Sequence, residues 1–131
     1  DGGYDVANPR DVDPRFGNLA DAKKMIDVAH SLELRVLVDI VPNHFSDQHI
    51  WFQEALKAGR GSKERARFHF YDANPDGTPP NNWISLFGGP SWTQVEDGQF
   101  YLHLFDQKEL LLLQTLLLKK LESLKQVKRL R

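Results

Sequence analysis

The stretch Val38-Asp39-Ile40-Val41-Pro42-Asn43-His44 decides the predicted fold class of this chain. It closes a near-continuous apolar run over residues 34–41 that is rich in β-branched side chains. Such a run is typical of a parallel strand covered on both faces. In parallel α/β folds, side chains at the carboxyl end of a strand face the ligand, so a functional site is expected around Asp39, Asn43 and His44. The alternative is that Asp39 caps the next turn and His44 is an ordinary loop histidine.

Helices are predicted on both sides of this strand. The first runs from Asn18, a good N-cap, to about Leu32, with its apolar residues on one face. The second covers about 48–58, with Asp47 or Ser46 as its N-cap. A helix followed by a strand is one step of an α/β barrel.

The region after the second helix reads as short strands and turns. Residues 68–71 predict a short strand, and residues 74–80 carry the Pro, Asn, Asp and Gly residues of a loop. Residues 92–95 and 99–104 predict a hairpin around Glu96-Asp97-Gly98.

Length and composition limit what the chain can be. Its 131 residues are enough for one domain at most, whereas a closed (β/α)8 barrel needs about 250 residues. The net charge is −1 without a broad basic surface, so no nucleic-acid partner is expected. The chain has no cysteine, which fits a reducing compartment, and we expect a cytoplasmic location. No signal peptide opens the chain, and the longest apolar stretch is too short to span a bilayer, so no membrane partner is expected.

The composition changes abruptly at about residue 106. Residues 1–106 contain every Gly, Pro and aromatic residue and have a net charge of −6 (10 basic, 16 acidic). Residues 107–131 include 10 Leu among 25 residues and have a net charge of +5 (7 basic, 2 acidic). We predict that residues 107–131 form a helix, and that a reading-frame change or truncation replaced the sequence after about Asp106. The alternative is a natural amphipathic helix that binds a partner or self-associates.

Five further motifs accompany the opening stretch in a fixed order. They are Gly3-Tyr4-Asp5-Val6, Arg10-Asp11-Val12-Asp13-Pro14, Thr78-Pro79-Pro80-Asn81-Asn82-Trp83, Phe87-Gly88-Gly89-Pro90-Ser91-Trp92 and Tyr101-Leu102-His103-Leu104-Phe105. With Asp39-x-x-x-Asn43-His44, this ordered set closely resembles the alpha-amylase superfamily, glycoside hydrolase family 13. The resemblance is closest to the alpha-glucosidase and oligo-1,6-glucosidase branch, and it covers residues 1 to about 106.

The resemblance implies an incomplete α/β fold. Residues 1–43 would be a fragment of the (β/α)8 barrel, with its second helix and third strand. Residues 44–106 would be most of domain B, the excursion that forms one wall of the active-site pocket. Residues 107–131 would be an unrelated Leu/Lys-rich helical tail.

The resemblance also implies a retaining hydrolase of alpha-linked oligosaccharides or glucosides. Such chemistry needs a carboxylate nucleophile and a carboxylic acid about 5–5.5 Å apart. No acidic residue here stands in the family's Gly-Phe-Arg-Ile-Asp-like nucleophile context, so we predict that this chain alone is inactive. Alternatives are trehalose synthase or another glucosyl-transferring relative, and a non-catalytic interaction protein that uses the Leu-rich tail. No cofactor is expected. Asn43 matches a calcium ligand of many amylases, but the glucosidase branch generally lacks that site, so no metal is expected.

Substrate-binding residues follow from the matched motifs. Asp1 matches an Asp that accepts hydrogen bonds from the terminal glucose, and Tyr4 matches an aromatic that stacks on the sugar ring beside the scissile bond. Asp39 matches an Asp that positions an Arg beside the nucleophile, and that Arg is missing here. His44 matches a histidine that donates to a glucose hydroxyl.

Two aromatics complete the predicted pocket, and one position departs from the family. Phe87 and Phe105 match domain B aromatics near the cleaved bond, with a packing role as the alternative. Phe45 stands where the family usually has Thr, so a bulky ring beside His44 is expected to alter the local geometry.

Overall fold

The computed structural model describes residues 2–111 and divides them into two compact units. One unit consists of residues 8–40, and the other combines residues 2–7 with residues 41–111. Within the described residues, no helix has both the length and the apolar character needed to cross a bilayer.

In the smaller unit, helix α1 (Leu19–Ser31) begins at the predicted N-cap. Asn18 Oδ1 accepts from the backbone N–H groups of Ala20 (2.8 Å) and Asp21 (3.3 Å), while Asp21 Oδ2 accepts from the Asn18 N–H at 3.0 Å. This capping box satisfies donors that the first helical turn leaves without partners. Gly17 precedes it with φ 114°, and a Cβ there would lie 2.7 Å from Asp21 Oδ2. The local sequence alone therefore sets the start of α1.

The predicted strand over residues 34–41 is wrong for this structure. Residues 34–42 adopt no regular secondary structure, and the described residues provide no strand that pairs with them. Leu37 is 94% exposed and Val38 is 74% exposed. An extended segment becomes a strand through hydrogen bonds to a neighbour, and side-chain pattern alone does not supply them.

The larger unit contains five short strands and one α-helix. Strand β1 (His44–Ser46) pairs antiparallel with β5 (Glu109–Leu111). Strands β2 (Phe70–Asp72), β3 (Trp92–Gln94) and β4 (Gln99–Leu102) form an antiparallel sheet in the order β2-β4-β3. Helix α2 (Ile50–Ala58) follows β1. The predicted hairpin is therefore confirmed as β3 and β4, although β4 ends two residues earlier than predicted. The predicted strand over 68–71 is shifted to Phe70–Asp72.

The main core lies between α2 and the strands. Phe52 is 2% exposed, and its ring contacts the rings of Phe68 and Tyr101 at centroid distances of 5.3 and 5.2 Å. Phe45 and Leu110 belong to the same buried cluster, and their backbones face each other across β1 and β5. The core therefore joins residues distant in sequence.

The N-cap of α2 differs from the prediction of Asp47 or Ser46. His49 is the cap, and its Nδ1 accepts from the Trp51 N–H at 3.1 Å. The hydroxyl of Ser46 instead accepts from the Gln48 N–H at 3.0 Å, in the turn before the helix. The His49 ring stacks on Phe45 at 3.8 Å, so core packing places the imidazole where it caps the helix.

The predicted helix over 107–131 is wrong at its beginning, because residues 109–111 form β5. Leu110 is 1% exposed and packs in the core, and residues 109–111 pair with β1 along their facing edge. These tertiary interactions override the helical propensity of the local sequence. The rest of the predicted tail lies outside the described residues.

Candidate functional site

His44, the histidine of the opening motif, is buried and held by the chain through both ring nitrogens. It is 3% exposed, and its Nε2 lies 2.9 Å from the backbone carbonyl oxygen of Tyr4. A carbonyl oxygen only accepts, so this contact is a hydrogen bond in the tautomer that carries a proton on Nε2. Nδ1 lies 3.1 Å from Asn43 Oδ1. A ligand hydroxyl would have to displace one of these partners to bond to the ring.

His44 packs against the predicted aromatics of the site. Its ring centroid lies 5.3 Å from that of Phe105, and the Phe105 ring lies 6.3 Å from that of Phe87. Ser85 ties the two phenylalanine segments together: its hydroxyl donates to the Phe105 carbonyl and accepts from the Phe87 N–H at 3.2 Å. The structure therefore brings together three predicted residues that are far apart in sequence. Ser85 was not predicted, and only its place between two of the quoted motifs marks it in the sequence.

Glu109 is a second residue that sequence reasoning missed. Its side chain is 5% exposed, and Oε1 lies 3.9 Å from Nε2 of His44. Its Oε2 also accepts from the Asp106 N–H at 3.2 Å. The sequence assigned Glu109 to a helical tail, and no local signal indicates that pairing of β1 with β5 brings it to the histidine.

Phe87 and Phe105 line a groove of about 360 Å³, which we call the aromatic groove. Ser85, Thr93, His103 and Lys108 also line it. Phe87 is 76% exposed. Aromatic walls with a few hydroxyl, imidazole and ammonium groups suit a small ring-shaped ligand with polar edges. His44 contacts Phe105 without being part of the lining.

The remaining predicted residues are placed as follows. Tyr4 is 47% exposed, and its carbonyl holds His44. Asp39 belongs to the unit of residues 8–40, where its Oδ1 accepts from the Ile40 N–H at 2.8 Å. Asp1 lies outside the described residues. The ligand-binding roles of all three stay predictions.

Phe45, the departure from the family pattern, packs into the core. Its ring is 2% exposed, stacks on His49 and belongs to the core cluster of Phe52 and Leu110. Successive side chains of a strand point to opposite faces, so the rings of residues 44 and 45 diverge. The larger residue is accommodated by the core.

His103 is the buried titratable group of the aromatic groove. It is 4% exposed, its Nε2 lies 3.0 Å from Thr93 Oγ1, and its Nδ1 makes no hydrogen bond of ordinary geometry within the described residues. Burial lowers the pKa of His103 from the ordinary value of 6.5, and the Phe105 backbone and the Asp106 carboxylate oppose this shift only in part. Burial also lowers the pKa of His69.

These lowered pKa values predict that the protein loses stability as the pH falls below about 6.5. In that range the unfolded chain takes up protons that the folded chain resists, so protonation favours unfolding. Denaturant unfolding should therefore show a free energy of unfolding that decreases from pH 7 to pH 5. The slope should become shallower in His103→Gln and stay unchanged in His30→Gln, which alters an exposed histidine. An identical slope in all three proteins would contradict this assignment.

The described residues contain no group of three or more His, Asp or Glu side chains that could hold a metal ion.

Comparison with known proteins identifies the family. Residues 1–119 match the family model described as alpha amylase, catalytic domain, so the match runs past the composition break at residue 106. A probable alpha-glucosidase of Rhizobium meliloti (strain 1021) is 49% identical over 112 residues, covering 80% of this chain and 19% of the relative. An oligo-1,6-glucosidase of Heyndrickxia coagulans is 42% identical over 110 residues, covering 83% of this chain and 20% of the relative.

Comparison with solved structures agrees with the family match. The crystal structure of an alpha-glucosyl transfer enzyme, XgtA, superposes with a TM-score of 0.86 and 38% identity over 94% of this chain and 24% of that one. The chain spans about a fifth of the length of the two curated relatives, 19% of one and 20% of the other. Because the family match includes residues 1–119 of the 131, this chain belongs to the alpha-amylase family and corresponds to a segment of its catalytic domain.

Proposed function

We propose that this chain is the sugar-binding segment of a retaining alpha-glucosidase-like hydrolase that acts on alpha-glucosides. The observation that carries the proposal is the aromatic groove, in which Phe87 and Phe105 form walls within the family-matched segment. Relatives that share its sequence are alpha-glucosidases and oligo-1,6-glucosidases. The proposal places the bond-breaking carboxylates of this family outside this chain, because no acidic residue here stands in the family's nucleophile context.

The proposed organisation keeps the limits predicted from the sequence for the first two segments: residues 1–43 contribute the barrel fragment and residues 44–106 domain B. The predicted limit of the tail at residue 107 is too early, because residues 109–111 form β5 and pair with β1. Asp1 and Asp39 contribute to glucose binding in this proposal, beside Tyr4, His44, Phe87 and Phe105. The cytoplasmic location is a prediction supported by the lack of cysteine. An interaction role for the tail also stays a prediction, because most of its residues lie outside the described residues 2–111.

Binding of an alpha-linked disaccharide tests the proposal. Maltose should shift the NMR signals of isotope-labelled Phe105 in a saturable manner, whereas beta-linked cellobiose should not. Phe87→Ala should weaken maltose binding about twofold to twelvefold, because an aromatic contact contributes about 0.5–1.5 kcal/mol.

The matched control is Leu86→Ala, which should leave maltose binding unchanged. Leu86 is 73% exposed beside Phe87 at 76%, and it does not line the aromatic groove. Equal affinities of the Phe87→Ala and unaltered chains, or equal shifts with maltose and cellobiose, would refute the proposed sugar site.

Glucosyl transfer is the second candidate function. The likeness to an alpha-glucosyl transfer enzyme favours it. Retaining chemistry passes through a glycosyl-enzyme intermediate, which water resolves in hydrolysis and a second sugar resolves in transfer. In this candidate, trehalose synthase or another transferring relative is the parent activity. The products that the full-length parent enzyme makes from maltose distinguish the two candidates: glucose alone indicates hydrolysis, and a rearranged disaccharide indicates transfer.

A further inference from the structure

A second cleft lies beside Trp83 and borders the aromatic groove at Pro90, which lines both. It measures about 520 Å³ and is lined by Asn74, Asn81 and Asn82 together with Thr78, Trp83 and Ile84, and by two prolines. This volume falls within the range of about 300–1,000 Å³ that is common for small-ligand sites. None of the lining side chains is charged.

Trp83 is a rigid aromatic surface in this cleft. The residue is 54% exposed, yet its ring packs on buried Trp92 with centroids 6.4 Å apart and planes 26° apart. Asn81 Oδ1 accepts from the Trp83 N–H at 3.0 Å and from the indole N–H of Trp92 at 2.8 Å. The Trp83 carbonyl accepts from the Ser91 N–H at 2.9 Å. A large ring that is fixed in position and left exposed is a feature of binding surfaces.

Carboxamides beside this ring are available for a ligand. Asn81 Nδ2 and both polar atoms of Asn82 make no hydrogen bond to another described residue. A primary amide offers two donors and one acceptor oxygen, so it can bond to neighbouring hydroxyls.

We propose that this cleft binds a glucosyl unit of an alpha-glucan chain, with the C–H face of the sugar on Trp83 and its hydroxyls on Asn82 and Asn81. A pyranose has an apolar face and hydrogen-bonding edges, which match an exposed indole bordered by amides. An uncharged lining favours a neutral polyhydroxylated ligand over an ionic one. The site goes beyond the proposed function because it does not include the groove aromatics, and only the choice of glucose rests on that function.

Indole NMR signals of the full 131-residue chain test the site directly. The chain has three tryptophans, and the Trp83 signal is the one that disappears in Trp83→Phe. Titration with maltotriose should move this signal saturably. Asn82→Ala should weaken the affinity read at Trp83 about threefold or more, because it removes hydrogen bonds to the sugar.

Tyr71→Ala is the matched control. Tyr71 is 52% exposed and also contacts the Trp92 ring, at 5.6 Å, but it does not line the cleft. It should leave the affinity read at Trp83 within twofold of the unaltered chain. A Tyr71→Ala effect as large as that of Asn82→Ala would overturn the site.

Two ligand outcomes complete the test. If the Phe105 signal moves and the Trp83 signal does not, this inference is overturned and the proposed function stands. If the Trp83 signal moves and the Phe105 signal does not, the proposed function is overturned and this inference stands. A Trp83 signal that responds to a proline-rich peptide and not to maltotriose would also overturn the sugar assignment.

Discussion

The purified 131-residue chain should release no glucose from maltose, isomaltose or an aryl alpha-glucoside above the buffer background. Retaining hydrolysis requires two carboxyl groups about 5–5.5 Å apart on opposite sides of the bond. No acidic residue of this chain has the family's nucleophile context, and Glu109, beside His44, is buried. Catalytic groups act as a unit, so losing them removes a rate enhancement of about a millionfold or more.

The control separates the chain from contaminating host enzymes. A Phe87→Ala chain prepared in the same way should show the same background rate. Glucose release that is present in the unaltered chain and falls in the Phe87→Ala preparation would contradict the prediction, because a contaminant would not respond to the substitution.

Leu110→Ala should be the most damaging single leucine substitution in the described structure. Leu110 is 1% exposed, stands opposite Phe45 and belongs to the cluster with Phe52, Phe68 and Tyr101. Removing a buried leucine side chain costs about 2–5 kcal/mol, since the surrounding residues close the cavity only in part. Small domains have about 5–15 kcal/mol of stability in total, so the substitution would remove a large part of the stability of this chain. Urea unfolding followed by tryptophan fluorescence measures the change.

Leu86→Ala is the comparison for that experiment. Leu86 is 73% exposed in the same unit, and its truncation should change the free energy of unfolding by less than about 0.5 kcal/mol. Equal midpoints for the two variants would show that residues 109–111 do not belong to the core. That result would restore the helical tail predicted from the sequence.

Sequence reasoning succeeded where short-range interactions decide the structure. The Asn18 cap joins residues three positions apart, and the hairpin turns at Glu96-Asp97-Gly98 with the Val95 N–H donating to Gln99 O at 2.8 Å. The family assignment succeeded because several motifs occur in one order. The resemblance assigned His44, Phe87 and Phe105 to one pocket, and their rings lie near one another in the structure, while their ligand-binding roles stay predictions.

The sequence by itself determined the family, the first helix and the β3–β4 hairpin. Only the tertiary structure decided that residues 109–111 form a strand, that Glu109 reaches His44 and that His49 caps α2. It also decided that residues 34–41 are not a strand, because an extended segment needs a hydrogen-bonding neighbour. Caps and tight turns are made by residues a few positions apart. Strand pairing and core burial join residues such as Phe45 and Leu110, and no local pattern specifies their partners.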